Sequence, residues 1–138
     1  MREIKFRAWD LEKQYMFVPP FIRQQQKSEY GGEIFETIEF AIENEDNELL
    51  FDDFILMQHT GINDKEGADI FEGDIVEAKC HECEHKHVFE ICYMEDICAF
   101  GIKDHKEKVR VAMYNDTGMA ITIEKVVGNI YENGDLLK

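Results

Sequence analysis

Apolar and polar positions alternate with a period of two along much of the chain, which is the pattern of half-buried β-strands. Residues 4–9 alternate in this way and predict a first strand. Residues 10–13 predict a turn, and residues 15–18 predict a return strand that stops at Pro19-Pro20. The chain is therefore expected to open with a β-hairpin.

The next part of the chain carries a weaker pattern. Residues 21–30 are polar, include three consecutive glutamines, and predict a loop or a short helix. In residues 33–42, Ile34, Ile38 and Ile42 recur every four residues, as on a helix, yet they also share one face of a strand. Enrichment in Thr, Ile and Phe favours the strand.

The centre of the chain, residues 56–76, consists of two tight bends between strand-like segments. An extended segment leads into a first turn that ends at a glycine, and a second bend precedes the β-branched strand of residues 75–80. Asp and Gly are the residues that such bends require, since Asp accepts backbone hydrogen bonds and Gly adopts positive φ without strain. The predicted turn residues are Asp64, Gly67, Glu72, Gly73 and Asp74.

A second hairpin is predicted between residues 87–94 and 97–103, centred on Glu95. This symmetry places Cys92 opposite Cys98 and makes both faces of the hairpin largely apolar. Such a strand pair needs cover on both sides, from another layer or from another subunit. The pattern is thus compatible with a homo-oligomer.

Further short strands are expected at residues 109–114, 120–124 and 126–131. Strands joined by short turns indicate a mainly β protein with little helix: a small, partly open, SH3-like barrel core with an appended N-terminal β-hairpin layer. A chain of 138 residues suits one domain, residues 1–138. The alternative is an N-terminal subdomain, residues 1–55, packed on a barrel core, residues 56–138.

Three blocks of this sequence resemble the YopX family of phage and prophage proteins. The blocks are residues 1–10 at the start, residues 56–76 at the centre and residues 126–137 at the end. They occur in the same order as in that family. The family typically reads Leu-Met-Gln-Tyr-Thr-Gly, a charged turn with glycine, and Ile-Tyr-Glu-Gly-Asp-Ile-Val at its centre, where this chain has His59 in place of Tyr. The resemblance implies a fold and a phage origin, and it implies no reaction.

Charge is the most unusual property of the composition. Thirty Asp and Glu oppose fifteen Lys and Arg, a net charge of −15, and a nucleic-acid duplex repels such a surface. Between Ser28 and Asp64 there is no Lys or Arg, while eleven acidic residues occur. One interpretation is a solvated face that keeps the protein soluble. The other is a docking surface for a basic partner or an imitation of nucleic acid.

The cysteines and histidines of residues 80–87 are the sequence's one candidate for metal chemistry. Cys80 and Cys83 have the two-residue spacing that can hold a tetrahedral zinc ion, and Cys92 with Cys98, or local histidines, would complete it. No second Cys-x-x-Cys follows, however. The alternative is a polar loop beside two reduced thiols, and disulfides are not expected in a reducing cytosol.

Linear motifs for catalysis do not occur in this sequence. Glu72 and Asp74 could act as a carboxylate pair, but a geometric role at the bend is the simpler interpretation because no nucleophile or third ligand is near in sequence. The chain carries neither a phosphate loop nor a Ser–His–Asp pattern. The sequence therefore favours a non-enzymatic role without deciding it.

Three functional hypotheses follow, and the one ranked last is an enzyme that uses a metal held at Cys80 and Cys83. The first is an accessory protein of a phage or prophage that binds an unidentified host or phage protein through its acidic surface. The second is a nucleic-acid-associated module that uses the small barrel and the N-terminal hairpin, with Arg7 and Trp9 as the contact residues. No apolar run is long enough to span a bilayer and no secretory signal opens the chain, so a bacterial cytoplasmic location is expected.

Overall fold

The computed structural model describes residues 3–19, 22–26, 29–30, 33–34, 38–50, 52–80, 85–112 and 121–138. Almost all regular structure in these residues is β-strand. The strands are β1 Phe6–Asp10, β2 Tyr15–Phe17, β3 Ile22–Gln26, β4 Glu29–Tyr30, β5 Glu33–Ile34, β6 Ile38–Glu43, β7 Leu49–Leu50, β8 Phe54–Asn63, β9 Asp69–Phe71, β10 Asp74–Cys80, β11 Lys86–Met94, β12 Ala99–Asp104, β13 Val109–Ala112 and β14 Ile121–Asn129. A 3₁₀ helix, Gly134–Leu137, follows.

The chain divides into two compact units. The barrel unit consists of Met1–Lys5 and Gln58–Lys138, and the N-terminal unit consists of Phe6–Met57. The division falls at residues 57 and 58, whereas the sequence placed a subdomain boundary at residues 55 and 56. Strand β8 begins in the N-terminal unit and ends in the barrel unit.

The barrel unit contains a five-stranded antiparallel sheet in the order β13-β12-β11-β10-β14. This sheet curls into a half-barrel. The pairing of β10 with β14 has two irregularities, between Ile75 and Val76 and between Glu77 and Ala78. Bulges of this kind increase strand twist and so close a sheet on itself. The core inside the curl comprises Ile70, Val76, Ala78, Phe89, Ile91 and Ile102.

The N-terminal unit starts with the predicted hairpin. β1 pairs with β2, with Ala8 opposite Phe17. The Asp10 carboxylate accepts hydrogen bonds from the backbone N–H groups of Glu12 and Lys13, at 2.9 and 2.8 Å, which explains the turn. Ala8 and Phe17 pack with Ile42 in a small second core. The sheet β3-β6-β7 and the β4–β5 pair complete the described part of this unit.

The prediction of a mainly β protein with a partly open, barrel-like sheet is confirmed. The strand interpretation of residues 33–42 is also correct, since β5 and β6 lie there. The loop or short helix predicted for residues 21–30 is wrong, because β3 and β4 lie there. The polar sequence of β3 gave little local signal. Its antiparallel pairing with β6, in which Ile22 lies opposite Ile42, supplies the backbone hydrogen bonds.

The register predicted for the second hairpin is wrong. The turn occupies residues 95–98, with Cys98 at a φ of 51°, and Cys92 lies opposite Gly101. The sequence assumed a tight turn about Glu95, whereas a four-residue connection moves the whole return strand. Cys92 and Cys98 are therefore not cross-strand neighbours.

The two faces of this hairpin also differ from the expectation. Phe89, Ile91 and Ile102 are buried in the core of the barrel unit. On the other face, the Glu90 carboxylate is hydrogen-bonded to His105 and forms an ion pair with Lys103. Val88 and Tyr93 remain exposed on this hairpin, and the homo-oligomer stays a prediction.

Candidate functional site

The first central turn is organised by one carboxylate. Asp64 Oδ1 accepts hydrogen bonds from the backbone N–H groups of Glu66 and Ala68, both at 2.9 Å. Oδ2 accepts another from the N–H of Val126 in β14, also at 2.9 Å. The Val126 hydrogen bond is the main cause that lowers the pKa of Asp64 below its ordinary value. Asp64, which is buried, thus joins the turn to the outer edge of the five-stranded sheet.

Glu72 and Asp74 flank the second bend and bind different backbone groups. A Glu72 oxygen accepts a hydrogen bond from the N–H of Gln58 at 2.7 Å. Asp74 Oδ2 accepts one from the N–H of Phe71 at 2.8 Å, and Asp74 is 1% exposed. This geometry matches a role in shaping the bend and offers no support for a catalytic carboxylate pair.

At this bend, Gly73 is hydrogen-bonded to β11 and to the turn that follows β14. Its φ is 75°, a conformation that L side chains rarely adopt. Its N–H donates to the carbonyl oxygen of Ile91, and its own carbonyl oxygen accepts from the N–H of Ile130, each at 2.8 Å. The central residues 64–74 therefore form hydrogen bonds that fix the backbone conformation of the barrel unit.

The four candidate zinc ligands do not form a described site. Cys80 is the last residue of β10, and Cys83 lies outside the described residues. Cys92 is half-buried in β11, and the exposed Cys98 donates from its thiol to the carbonyl oxygen of Glu95 at 3.6 Å. Within the described residues, no group of three or more His, Cys, Asp and Glu side chains is arranged to hold a metal.

A polar cleft of about 530 Å³ opens in the barrel unit, and its walls bring together residues that are far apart in the sequence. We name it the Lys5–Asp69 cleft; it is lined by Glu3, Lys5, His59, Thr60, Gly61, Asn63 and Asp69. Lys5 Nζ lies 3.0 Å from Asp69 Oδ2 and 3.2 Å from Glu3 Oε2. The hydrogen bond with Asp69 is the main cause that raises the pKa of Lys5, and it also lowers the pKa of Asp69.

His59 forms the buried part of the cleft wall and is only 4% exposed. Its Nε2 lies 3.1 Å from the carbonyl oxygen of Ile62 and 3.7 Å from Asp69 Oδ1, and its ring packs on Phe71. If Nε2 carries the hydrogen, Nδ1 is an acceptor. Among the described residues, this buried Nδ1 has no hydrogen-bond partner. The sequence indicated only an amphipathic strand-edge position for His59.

The N-terminal unit carries exposed carboxylates around its β6–β7 connection and before β8. We name this the acidic surface; it comprises Glu45, Asp46, Glu48, Asp52 and Asp53. Lys13 Nζ binds Asp46 and Glu48, at 2.6 and 2.7 Å. These ion pairs raise the pKa of Lys13, with the Asp46 hydrogen bond as the main cause. The acidic residues between 29 and 39 lie outside the described side chains.

The N-terminal hairpin does not present the surface that base stacking needs. Trp9 is 7% exposed, so its ring faces belong to the interior. Arg7 lies part-buried, with one guanidinium nitrogen 3.8 Å from the sulfur of Met57. The pair of residues that motivated the nucleic-acid hypothesis is therefore directed into the protein.

In the described part of the chain, no helix has the length and apolar character to cross a membrane. The observed fold defines a small, mainly β protein built on a curled, half-barrel sheet. The chain belongs to the YopX protein family, whose model matches residues 5–138. No curated protein matches the sequence.

Two solved structures are similar over their whole length. Protein yopX from Bacillus subtilis has a TM-score of 0.57 and 20% sequence identity, with 100% of each chain covered. Protein EF1440 from Enterococcus faecalis has a TM-score of 0.51 and 24% identity, again with 100% of each chain covered. At these identities the likeness is one of fold.

Proposed function

We propose that this protein is a non-catalytic accessory protein that binds a basic partner protein through the acidic surface of its N-terminal unit. The observation that supports this most strongly is the higher density of negative charge in the N-terminal unit. Residues 6–57 contain twelve Asp and Glu against four Lys and Arg, a net charge of −8. Lys13, the base that meets the described acidic surface, already pairs with two of its five carboxylates.

A surface of this kind acts on a partner before contact is made. Summed charges of one sign create potentials that attract an oppositely charged molecule and increase its association rate. The effect decays over roughly 8–10 Å at physiological salt, so binding should depend strongly on ionic strength. The phage origin implied by the sequence resemblance directs the proposal to a host or phage protein in the bacterial cytoplasm.

The nucleic-acid alternative receives less support from the geometry. A net charge of −15 repels phosphates, and Trp9 is buried. Retention on single- or double-stranded DNA at about 50 mM salt, where phosphate contacts are strong, would restore that alternative.

The test compares two variants with equal changes in net charge. One variant neutralises three carboxylates of the acidic surface, Glu45→Gln, Asp52→Asn and Asp53→Asn. The control neutralises three exposed carboxylates of the barrel unit, Glu95→Gln, Asp96→Asn and Glu107→Gln. Candidate partners are captured from bacterial lysate, and each is then produced in pure form for a direct affinity measurement.

We expect the pure partner to bind wild type and control alike, and to bind the acidic-surface variant more weakly. Raising the salt concentration should remove most of that difference, because screening reduces the contribution of the same charges. Equal affinity for both variants would contradict the proposal.

A further inference from the structure

We propose that an exposed part of the five-stranded sheet binds a segment of another protein that places a basic side chain beside an apolar one. We name this surface the aromatic strip; it comprises Tyr93 in β11, Phe100 in β12 and Val111 in β13. The strip belongs to the barrel unit, whereas the acidic surface belongs to the N-terminal unit. This proposal therefore stands independently of the proposed function and concerns a separate contact.

Strand register places the three residues of the strip on one face of the sheet. Tyr93 lies opposite Phe100, and their rings meet edge to face with centroids 5.3 Å apart. Val111 lies opposite Ile102, two residues along β12 from Phe100, so it shares that face. The core residues Ile91 and Ile102 are paired on the same face. The aromatic strip is thus a continuation of the core face of the sheet.

Burial changes abruptly along this face. Ile91 and Ile102 are 0% and 3% exposed, whereas Tyr93 and Val111 are 41% and 39% exposed, with Phe100 half-buried between them. Single apolar side chains on a surface are common, but neighbouring ones that continue a core mark a place where another molecule binds. Tyrosine is also among the residues that contribute most to protein–protein binding.

The charges around the strip select a cationic partner. Residues 87–102 contain no Lys or Arg. Lys103, the next base, lies on the opposite face, where it pairs with Glu90. Loss of hydration is the main cause that raises the pKa of Tyr93 above its ordinary value, and nearby charges, among them that of Glu72, add to it. The strip is therefore close to a carboxylate and has no base of its own hairpin on its face.

This combination favours a basic and apolar protein segment over a second copy of the chain. An arginine or lysine can lie over the Tyr93 ring and within reach of the Glu72 charge, since aromatic faces attract cations. An aliphatic or aromatic side chain beside it would pack on Val111. A second copy would instead set two identical cation-free faces against each other and bring together two chains of net charge −15.

The test is an NMR titration of the ¹⁵N-labelled full chain at constant ionic strength with three blocked pentapeptides. The basic and apolar probe is Arg-Leu-Arg-Phe-Arg, the acidic and apolar probe is Glu-Leu-Glu-Phe-Glu, and the basic and polar probe is Arg-Ser-Arg-Ser-Arg. Affinity is read at the amides of Tyr93, Phe100 and Val111, so binding of basic peptides at the acidic surface does not enter. We expect saturable shifts there, with the basic and apolar probe the tightest of the three.

Three substitutions and a control examine the parts of the strip. Tyr93→Thr should weaken binding of the basic and apolar probe about fivefold or more, and Val111→Thr, which keeps the β-branched shape, should weaken it less. Glu72→Gln keeps an acceptor oxygen for the Gln58 N–H and removes the charge, so we expect a loss of roughly twofold to fivefold. Glu107→Gln, in the exposed β12–β13 turn, is the control and should change nothing. Amide spectra and unfolding curves show whether each variant is folded.

Three results would overturn the proposal. The first is the absence of saturable shifts at the strip with the basic and apolar probe. The second is binding of the acidic or the polar probe at least as tight as that of the basic and apolar one, which would remove the role of charge or of apolar contact. The third is a concentration-dependent dimer of the wild type, measured by sedimentation, that the folded Tyr93→Thr variant does not form, which would assign the strip to a second copy of the chain.

Discussion

Gly101 in β12 provides the most direct test of the packing in the barrel unit. Its neighbour across β11 is Cys92, and the Met94 side chain reaches over it. A Cβ atom at this position would lie 2.4 Å from Met94 Sδ and 2.8 Å from the carbonyl oxygen of Val111. Gly101→Ala therefore introduces two clashes, one with a flexible side chain and one with the backbone of β13.

The expected magnitude follows from these two distances. Met94 can move away, but the Val111 carbonyl belongs to a paired strand, and relief there requires β12 and β13 to shift. Overpacking of this kind costs about 1–3 kcal/mol. Replacing glycine lowers the entropy of the unfolded chain and offsets about 0.4–1 kcal/mol. We expect a net loss of about 1–2 kcal/mol in the free energy of unfolding.

The assay is urea unfolding followed by circular dichroism, with amide hydrogen exchange to locate the effect in β11, β12 and β13. With a urea dependence of about 2 kcal/mol per molar, the midpoint should fall by roughly 0.5–1 M. Gly134→Ala is the control, because a Cβ there meets nothing within 4 Å. It should leave stability unchanged or slightly higher.

A double-mutant cycle separates the two clashes. In a Met94→Ala background, Gly101→Ala should cost less than it does in wild type, because the nearer of the two clashes has been removed. If Gly101→Ala were as stable as the Gly134→Ala control, the close approach of Met94 and Val111 described here would be refuted.

Three further predictions concern the central turns and the cysteines. Gly67→Ala should lower the free energy of unfolding by about 1 kcal/mol through backbone strain alone, since φ is +87° and a Cβ there meets nothing within 4 Å. Gly67→Asn should cost less, because Asn tolerates this conformation. Equal urea midpoints for the two variants would contradict this prediction. The Val126 hydrogen bond lowers the pKa of Asp64 in the folded protein, and Lys5 lowers the pKa of Asp69. Each carboxylate therefore stabilises the folded protein fully above its unfolded pKa of about 4, and this stabilisation is lost as the pH falls through the lower folded pKa. The urea midpoint should therefore decrease at acidic pH, and this pH dependence should be shallower in Asp64→Asn; an unchanged slope would exclude Asp64 as a contributor. Elemental analysis of protein purified without a metal-affinity tag should find well below one equivalent of zinc, because the hairpin register separates Cys92 from Cys98, two of the four proposed ligands. A full equivalent of zinc would show that the cysteines meet in another way.

Local sequence was a good guide where a backbone conformation depends on a few neighbouring residues. The glycines and aspartates of residues 64–74 indicated two bends, and the structure has turns there with Gly67 and Gly73 at positive φ. The alternating pattern of the first hairpin likewise indicated β1 and β2 within one or two residues of their observed ends. These features are set by sterics and by hydrogen bonds between near neighbours.

Local sequence was a poor guide where pairing with a distant strand decides the outcome. The polar strand β3 has no pattern of its own and is extended because β6 pairs with it. The turn that sets the register of β11 with β12 contains a left-handed residue, Cys98. Because Cys98 is not a glycine, the sequence did not indicate this conformation.

What the sequence by itself determined is the class of this protein: its mainly β character, its family, its central bends and its acidic charge. What only the tertiary structure decided is which side chains meet. Lys5 and Asp69 are sixty-four residues apart, and β8 and β9 bring them together with His59 in one cleft. The reason is physical, because turn conformation depends on a few adjacent residues, whereas a cleft depends on strand pairings and burial that involve the whole unit.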